Sequence, residues 1–212
     1  MSKTESYITV VGETAAEYTE KRSRFIATLK HCETEEDAAA FINALKTKYW
    51  DARHNCFAYS VENGALKRFS DDGEPHGTAG KPILSVIEGA GITNVCIVVT
   101  RYFGGVLLGT GGLVRAYTKA AADAAAKITK AVMTPGTVFS AECDYSAAER
   151  LAKLIADMGG SVENTVYAEN IRYEFFISDT EKQKFTEKLK ETFCARITAE
   201  EIKNEARPVE IK

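Results

Sequence analysis

The chain lacks any apolar run near the roughly 18 residues that a membrane-spanning helix needs. Its opening, Met-Ser-Lys-Thr-Glu-Ser-Tyr-Ile-Thr-Val, also lacks an apolar stretch of signal-peptide length. Both absences point to a cytoplasmic protein without membrane contact. Cysteine is scarce: Cys32, Cys56, Cys96, Cys143 and Cys194 make an odd 5 at wide spacings. No C-x-x-C pair occurs, so neither a zinc ribbon nor a thioredoxin-like redox site is supported. Buried, reduced thiols are expected instead. Charge of one sign is not in excess either. A formal net charge of −3 gives the whole molecule no strong pull on nucleic acid. There is no internal repeat and no low-complexity tract.

What is present suits a globular protein. The 212 residues are 45% hydrophobic and 27% charged, enough for one large domain or two small ones. Pro135 and Gly136, within Met133-Thr-Pro-Gly-Thr137, stop the helical pattern ahead of them and mark a junction. The predicted division is residues 1–132 and 137–212. The first part carries a slight positive excess and the second is net negative, so the first is the better host for an anionic partner.

The second part reads as β-α-β-β-α-β. Phe139, Ala141, Cys143 and Tyr145 alternate as a strand. Ser146 with Glu149 forms a capping box for a helix whose buried stripe is Leu151, Leu154, Ile155 and Met158, ended by Gly159-Gly160. Strands are predicted at 161–168 and 171–177. Ser178 and Glu181 would cap a helix carrying Phe185 and Leu189, and Phe193, Ala195 and Ile197 alternate in a last strand. This order is the ferredoxin-like pattern.

The first part is α+β. Strands are predicted at 7–11 and 24–30, then a helix capped by Thr34 with Phe41, Ile42, Leu45 and Tyr49 on one face. A hairpin over 55–61 and 66–69 would turn tightly at Asn63-Gly64. A helix at 83–90, a fully buried strand at 94–100 and a helix with Val114, Tyr117, Ala121, Ala124 and Ile128 inward complete it. Tyr49 and Trp50 are expected to pack rather than stack on a base.

Two segments are not explained by core building. Residues 100–115, between the buried strand and the last helix, hold Gly104, Gly105, Gly109, Gly111 and Gly112 between Arg101 and Arg115, with Tyr102 beside them. Glycines allow close approach. Free N–H groups and the dipole at a helix start suit a phosphate or carboxylate, and both arginines can add bidentate contacts. Neither a Walker lysine nor the dinucleotide-fold spacing is present. Tight packing is the plainer reading. Residues 70–80 hold Asp71, Asp72, Glu74, His76, Gly77 and Thr78. They suit a divalent cation, an acid–base pair, or a loop closed on its own hydrogen bonds, with Thr78 capping the next helix. Lys21, Arg22, Arg24, Arg53 and His54, with Lys67 and Arg68, are candidates for a basic rim.

These segments resemble the YigZ/IMPACT family. The resemblance lies in 71–83, Asp-Asp-Gly-Glu-Pro-His-Gly-Thr-Ala-Gly-Lys-Pro-Ile, and in 99–117, Val-Thr-Arg-Tyr-Phe-Gly-Gly-Val-Leu-Leu-Gly-Thr-Gly-Gly-Leu-Val-Arg-Ala-Tyr. Lys-Arg-Ser-Arg-Phe-Ile (21–26) and Asp-Ala-Arg-His-Asn-Cys-Phe-Ala-Tyr (51–59) are similar too. The resemblance implies a ribosomal-protein-S5-domain-2-like fold for residues 1–132, and the second domain fits the bacterial YigZ branch. It also implies, from the eukaryotic relatives, regulation of translation under stress by binding a partner. The expectation is therefore a non-enzymatic regulator without cofactor, metal or catalytic residue. It would contact RNA, the ribosome or a translation-linked protein through 70–80 and 101–115. The alternative is an enzyme acting on a phosphorylated small molecule or nucleotide, with the glycine segment holding phosphate.

Overall fold

The computed structural model describes residues 6–210. The chain is α+β and divides into two compact units, with the boundary between Val132 and Met133.

The first unit is built on an antiparallel sheet. Its strands are β2 (Glu13–Glu20), β3 (Ser23–His31), β6 (Val95–Tyr102), β4 (His54–Val61) and β5 (Leu66–Ser70), in that spatial order. The central β6 explains the unbroken apolar run in its sequence. Val95, Ile97 and Val99 face a core closed by α2 (Gly80–Gly89) and α3 (Gly109–Lys127), while Cys96 and Val98 face α1 (Glu35–Lys48). Fully burying such a side chain stabilises by about 1.5–3 kcal/mol. Thr34 caps α1 as expected, and its reciprocal partner is Asp37. β1 (Tyr7–Val11) stands outside this sheet.

Several local expectations are corrected. β2 was not anticipated, although Ala16 and Tyr18 turn inward between exposed Ala15, Glu17 and Thr19. The β4–β5 connection is not a two-residue turn. Val61 pairs with Leu66, and 62–65 form a 3₁₀ turn with Glu62 and Asn63 at positive φ. The Asn94 side chain holds this turn, accepting the Asn63 N–H and donating to Asn63 Oδ1. In α3 it is Leu113, not Val114, that is buried.

In the second unit the elements follow as β7 (Thr129–Cys143), α4 (Tyr145–Asp157), β8 (Ser161–Tyr167), β9 (Ile171–Ser178), α5 (Lys182–Thr192) and β10 (Ala199–Glu210). β9 lies between β7 and β8, and β10 pairs with β7. Ile171, Tyr173, Phe175 and Ile177 turn one face of β9 onto α4 and α5, where Phe139, Phe175 and Phe185 cluster. Residues 133–137 are not a linker loop but part of β7. Gly136 there lies under the Phe176 ring, where a Cβ would come within 2.3 Å of it. Asp144, not Ser146, caps α4 by accepting the Ala147 N–H. Glu181 stands at the α5 start without a side-chain cap. The last strand begins only at Ala199, because Cys194 and Ala195 turn at positive φ. Cys194 is exposed, whereas the other cysteines are buried and all are free. Among the described residues no helix is long and apolar enough to cross a membrane.

Phe185 is fully buried among aromatic rings. Phe185→Ala is expected to cost about 3–5 kcal/mol, read as lost hydrogen-exchange protection in the β9 amides.

Candidate functional site

The register of the first sheet brings the two unusual segments together. Arg101, near the end of β6, pairs across to Phe25 on β3 and to His54 on β4. The 71–79 loop leaves β5 beside β4, and the 103–108 turn leaves β6. Between them opens a cleft of about 440 Å³, lined by Arg53, His54, Glu74, Arg101, Phe103 and Leu107 among others.

Arg101 does not face outward as expected. Its side chain is 7% exposed, and Nη1 donates to Glu74 Oε1 at 2.6 Å. The guanidinium lies 5.5 Å from the Phe25 ring centroid and 5.6 Å from that of Phe103. Tyr117 Oη, from α3, donates to the same Glu74 oxygen at 2.8 Å. Burial, with Cys56 and Glu74 beside it, pushes the Tyr117 phenol far above its ordinary value, so it stays a donor. Burial likewise keeps Cys56 a thiol. Its Sγ lies 3.3 Å from Tyr117 Oη and 3.0 Å from the Asp71 carbonyl.

The four titratable residues of the acidic segment diverge. Asp71 accepts N–H bonds from Gly77 at 2.8 Å, Ala79 at 3.1 Å and Gly80 at 2.8 Å, and so caps α2 from a distance. The expected cap, Thr78, instead donates to the Pro75 carbonyl. Burial raises the Asp71 carboxyl, but these amides outweigh it and hold it below the ordinary value. Asp72 accepts the Asn55 N–H at 2.7 Å and pairs with Lys46. Of the four, Glu74 alone lines the cleft, while the His76 side chain is 99% exposed. Among the described residues no group of three or more His, Cys, Asp or Glu side chains is placed to hold a metal ion.

The glycines also have separate tasks. At Gly104 a Cβ would lie 2.0 Å from the Arg22 carbonyl carbon, so the chain itself occupies that approach, and the Gly104 N–H donates to Ser23 Oγ. Gly105 and Gly109 have positive φ and open space around them, and Gly111 is nearly as open. Gly112 lies against Leu108. Arg115 does not share an anion site with Arg101. It lines a separate hollow of about 290 Å³ with Tyr18, Lys21, Leu108 and Gly112. Tyr102 donates to Asp51, and Arg24 lies over its ring.

The basic candidates sort by pairing. Arg24, Lys67 and Arg68 are tied to Glu17, Glu88 and Glu35. Lys21, Arg22, Arg53 and Arg115 are exposed and form no ion pair among the described residues. His54 Nδ1 lies 2.7 Å from the Asp72 carbonyl, leaving Nε2 on the side of Glu74, 4.0 Å from Oε1. Sequence reasoning missed Tyr117, Cys56 and Ser23 as members of this network. The signal was a tyrosine placed on a buried stripe, since its hydroxyl must find a partner there.

Residues 21–125 match the Impact N-terminal domain, and 142–196 match a domain of unknown function, DUF1949. The IMPACT family member YvyE of Bacillus subtilis is 36% identical over 183 residues, 86% of this chain and 84% of that protein. YigZ of Escherichia coli is 40% identical over 150 residues, 69% and 74% of the respective chains. The protein IMPACT homolog of Dictyostelium discoideum is 37% identical over 101 residues, 45% of this chain but 29% of its own. A crystal structure of a hypothetical protein superposes with a TM-score of 0.61 at 33% identity, covering 95% of this chain and 99% of that one. The chain belongs to the IMPACT family.

Two expectations test this geometry. Asp71→Asn is expected to cost about 1–3 kcal/mol by opposing amide donors to an amide. Because the folded carboxyl titrates below its unfolded value, its contribution is complete above the ordinary value, about 3.9. It is lost as pH falls through the folded value. The gap between wild type and variant in urea denaturation is therefore expected to close on acidification. Gly104→Ala is expected to cost about 1–3 kcal/mol and to shift the Ser23 amide resonance. Gly105→Ala, costing about 1–2 kcal/mol through its positive φ, is expected to leave Ser23 in place.

Proposed function

We propose that this protein is a cytoplasmic, translation-linked regulator that works by binding RNA, in single-stranded form or exposed on the ribosome. The carrying observation is the set of unpaired cations around the glycine-rich turn. Lys21 and Arg115 line one hollow beside it, Arg53 lines the cleft on its other side, and the Arg22 backbone packs on Gly104. The charge that the whole molecule lacks is concentrated here, where phosphates can displace counterions. Trp50 adds a stacking surface. It was expected to pack, yet it is 83% exposed, and Asp51 next to it is anchored by Tyr102. An exposed indole three residues ahead of Arg53 in the chain suits unstacked bases.

The family adds regulatory context, since the first unit is the part shared with eukaryotic IMPACT proteins. In this reading the first unit is S5-domain-2-like and the second ferredoxin-like. The strand order β10-β7-β9-β8 supports the latter. The buried Arg101–Glu74 pair favours binding over acid–base catalysis, because each group is already committed to the other.

Ribosome co-sedimentation and titration of the single Trp50 with a short RNA test the proposal. Replacing Lys21, Arg22, Arg53 and Arg115 together by Ala is expected to abolish co-sedimentation. It should also flatten the salt dependence by about 0.7 per lost phosphate contact. Trp50→Ala is expected to cost about 1–3 kcal/mol of RNA affinity. Unchanged binding in the quadruple variant would overturn the reading. Capture of a protein that survives nuclease and high salt would replace RNA by a protein partner.

A further inference from the structure

The surface cations leave the interior of the cleft unexplained. Its mouth is apolar, with Phe103 and Leu107 exposed beside Leu108 and Leu113. Its floor is polar, formed by His54, Glu74 and Arg101. At one wall stands the start of α3, a 19-residue helix with no side-chain cap and no acidic residue in its first turn. The first N–H groups of a helix have no partner within it, and the dipole adds positive potential there.

The contrast with α2 is informative. There the chain supplies its own carboxylate, Asp71, to the amides of Gly77, Ala79 and Gly80. At α3 it supplies none. Closing that wall with an acid of its own would have cost little, as Asp71 demonstrates on the neighbouring helix.

A second, independent observation comes from Arg101. Its side chain is more than nine-tenths buried and lines the same cleft. Nη1 is held by Glu74, but the buried Nε–H meets no acceptor. Leaving a buried donor unmet is unfavourable, and such groups in folded proteins commonly await an ion, water or ligand. The cation is thus only partly compensated from within the chain.

We infer that the cleft binds a small molecule with an anionic head, phosphate or carboxylate, and an apolar body. The head sits against the first-turn amides of α3, with Arg101 behind it. The body lies against Phe103 and Leu107. A volume of about 440 Å³ falls in the range of small-molecule sites. This inference is separable from RNA binding, which uses Lys21, Arg22 and Arg115 away from the cleft as well as Arg53 at its edge.

The test uses the isotopically labelled full chain titrated with phenyl phosphate, benzoate and inorganic phosphate, followed by NMR. At least one aromatic anion is expected to shift the amides of Gly109, Thr110, Gly111 and Gly112 saturably. It should bind about tenfold tighter than inorganic phosphate through its buried ring, and the better of the two aromatic anions identifies the head group. Leu107→Asp, at an exposed position that leaves the fold intact, is expected to weaken that binding about tenfold by placing a negative charge at the mouth. The triple variant Lys21→Ala, Arg22→Ala, Arg115→Ala is expected to keep probe binding while losing RNA, so the two proposals fail separately. Shifts that do not saturate, shifts confined to the Lys21–Arg22 turn, or undiminished affinity in Leu107→Asp would overturn the inference.

Discussion

The buried carboxylate of Glu74 ties together the parts of the first unit that matter for function. One of its oxygens accepts from Arg101 at the end of β6 and from Tyr117 in α3, while Glu74 itself belongs to the loop leading into α2. A sheet strand, a helix and a loop therefore meet at one atom. Breaking a buried ion pair by deleting one partner is costly, about 3–5 kcal/mol, because the other charge is left uncompensated. That cost makes the relative position of the two motifs a property of the core rather than of their flexible glycines. Once Glu74 is held, the cleft has a fixed floor and the glycine-rich turn a fixed root.

This arrangement explains the mixture of residues in the two motifs. Asp71 spends its charge on the amides ahead of α2, and Asp72 on Asn55 and Lys46. Gly104 makes room for the Arg22–Ser23 backbone. These residues build the site. His76, Gly105, Leu107, Gly109, Gly111 and Arg115 are among those left facing open space or solvent, with Arg53 beside the motifs. A motif that looks uniform in sequence is thus divided between residues that hold the scaffold and residues that a partner can reach.

Much of the fold was legible because periodicity reports burial directly. The alternation in β9, the unbroken apolar run of β6 and the Thr34 cap each have a local physical cause. Long-range substitutions were not legible. The α2 cap comes from Asp71, nine residues before the Gly80 amide that it accepts, and no window centred on a helix start would find it. β2 was hidden by Glu13 and Glu17, which occupy the solvent face of an otherwise regular alternation. At the end of the chain, Phe193 and Ile197 are buried as their pattern suggests, but through a turn rather than a strand. The candidate site was recognisable as a segment, whereas the roles within it were not. Arginine is rarely buried, so sequence alone favoured an outward Arg101.

The inward Arg101 also changes how the protein can meet an anion. An exposed arginine pair would draw phosphate under strong screening by salt. Here attraction is split by depth. Outside, the exposed and unpaired cations Lys21, Arg22 and Arg115 suit a long polyanion whose register need not be fixed. Inside, the groups are held by the fold: a helix start and a buried guanidinium bound to Glu74. Preorganised donors of that kind discriminate by shape, because they cannot follow a ligand that does not fit. The same short stretch of chain therefore presents a permissive outer surface and a selective inner one, and the Glu74 anchor keeps the two distinct.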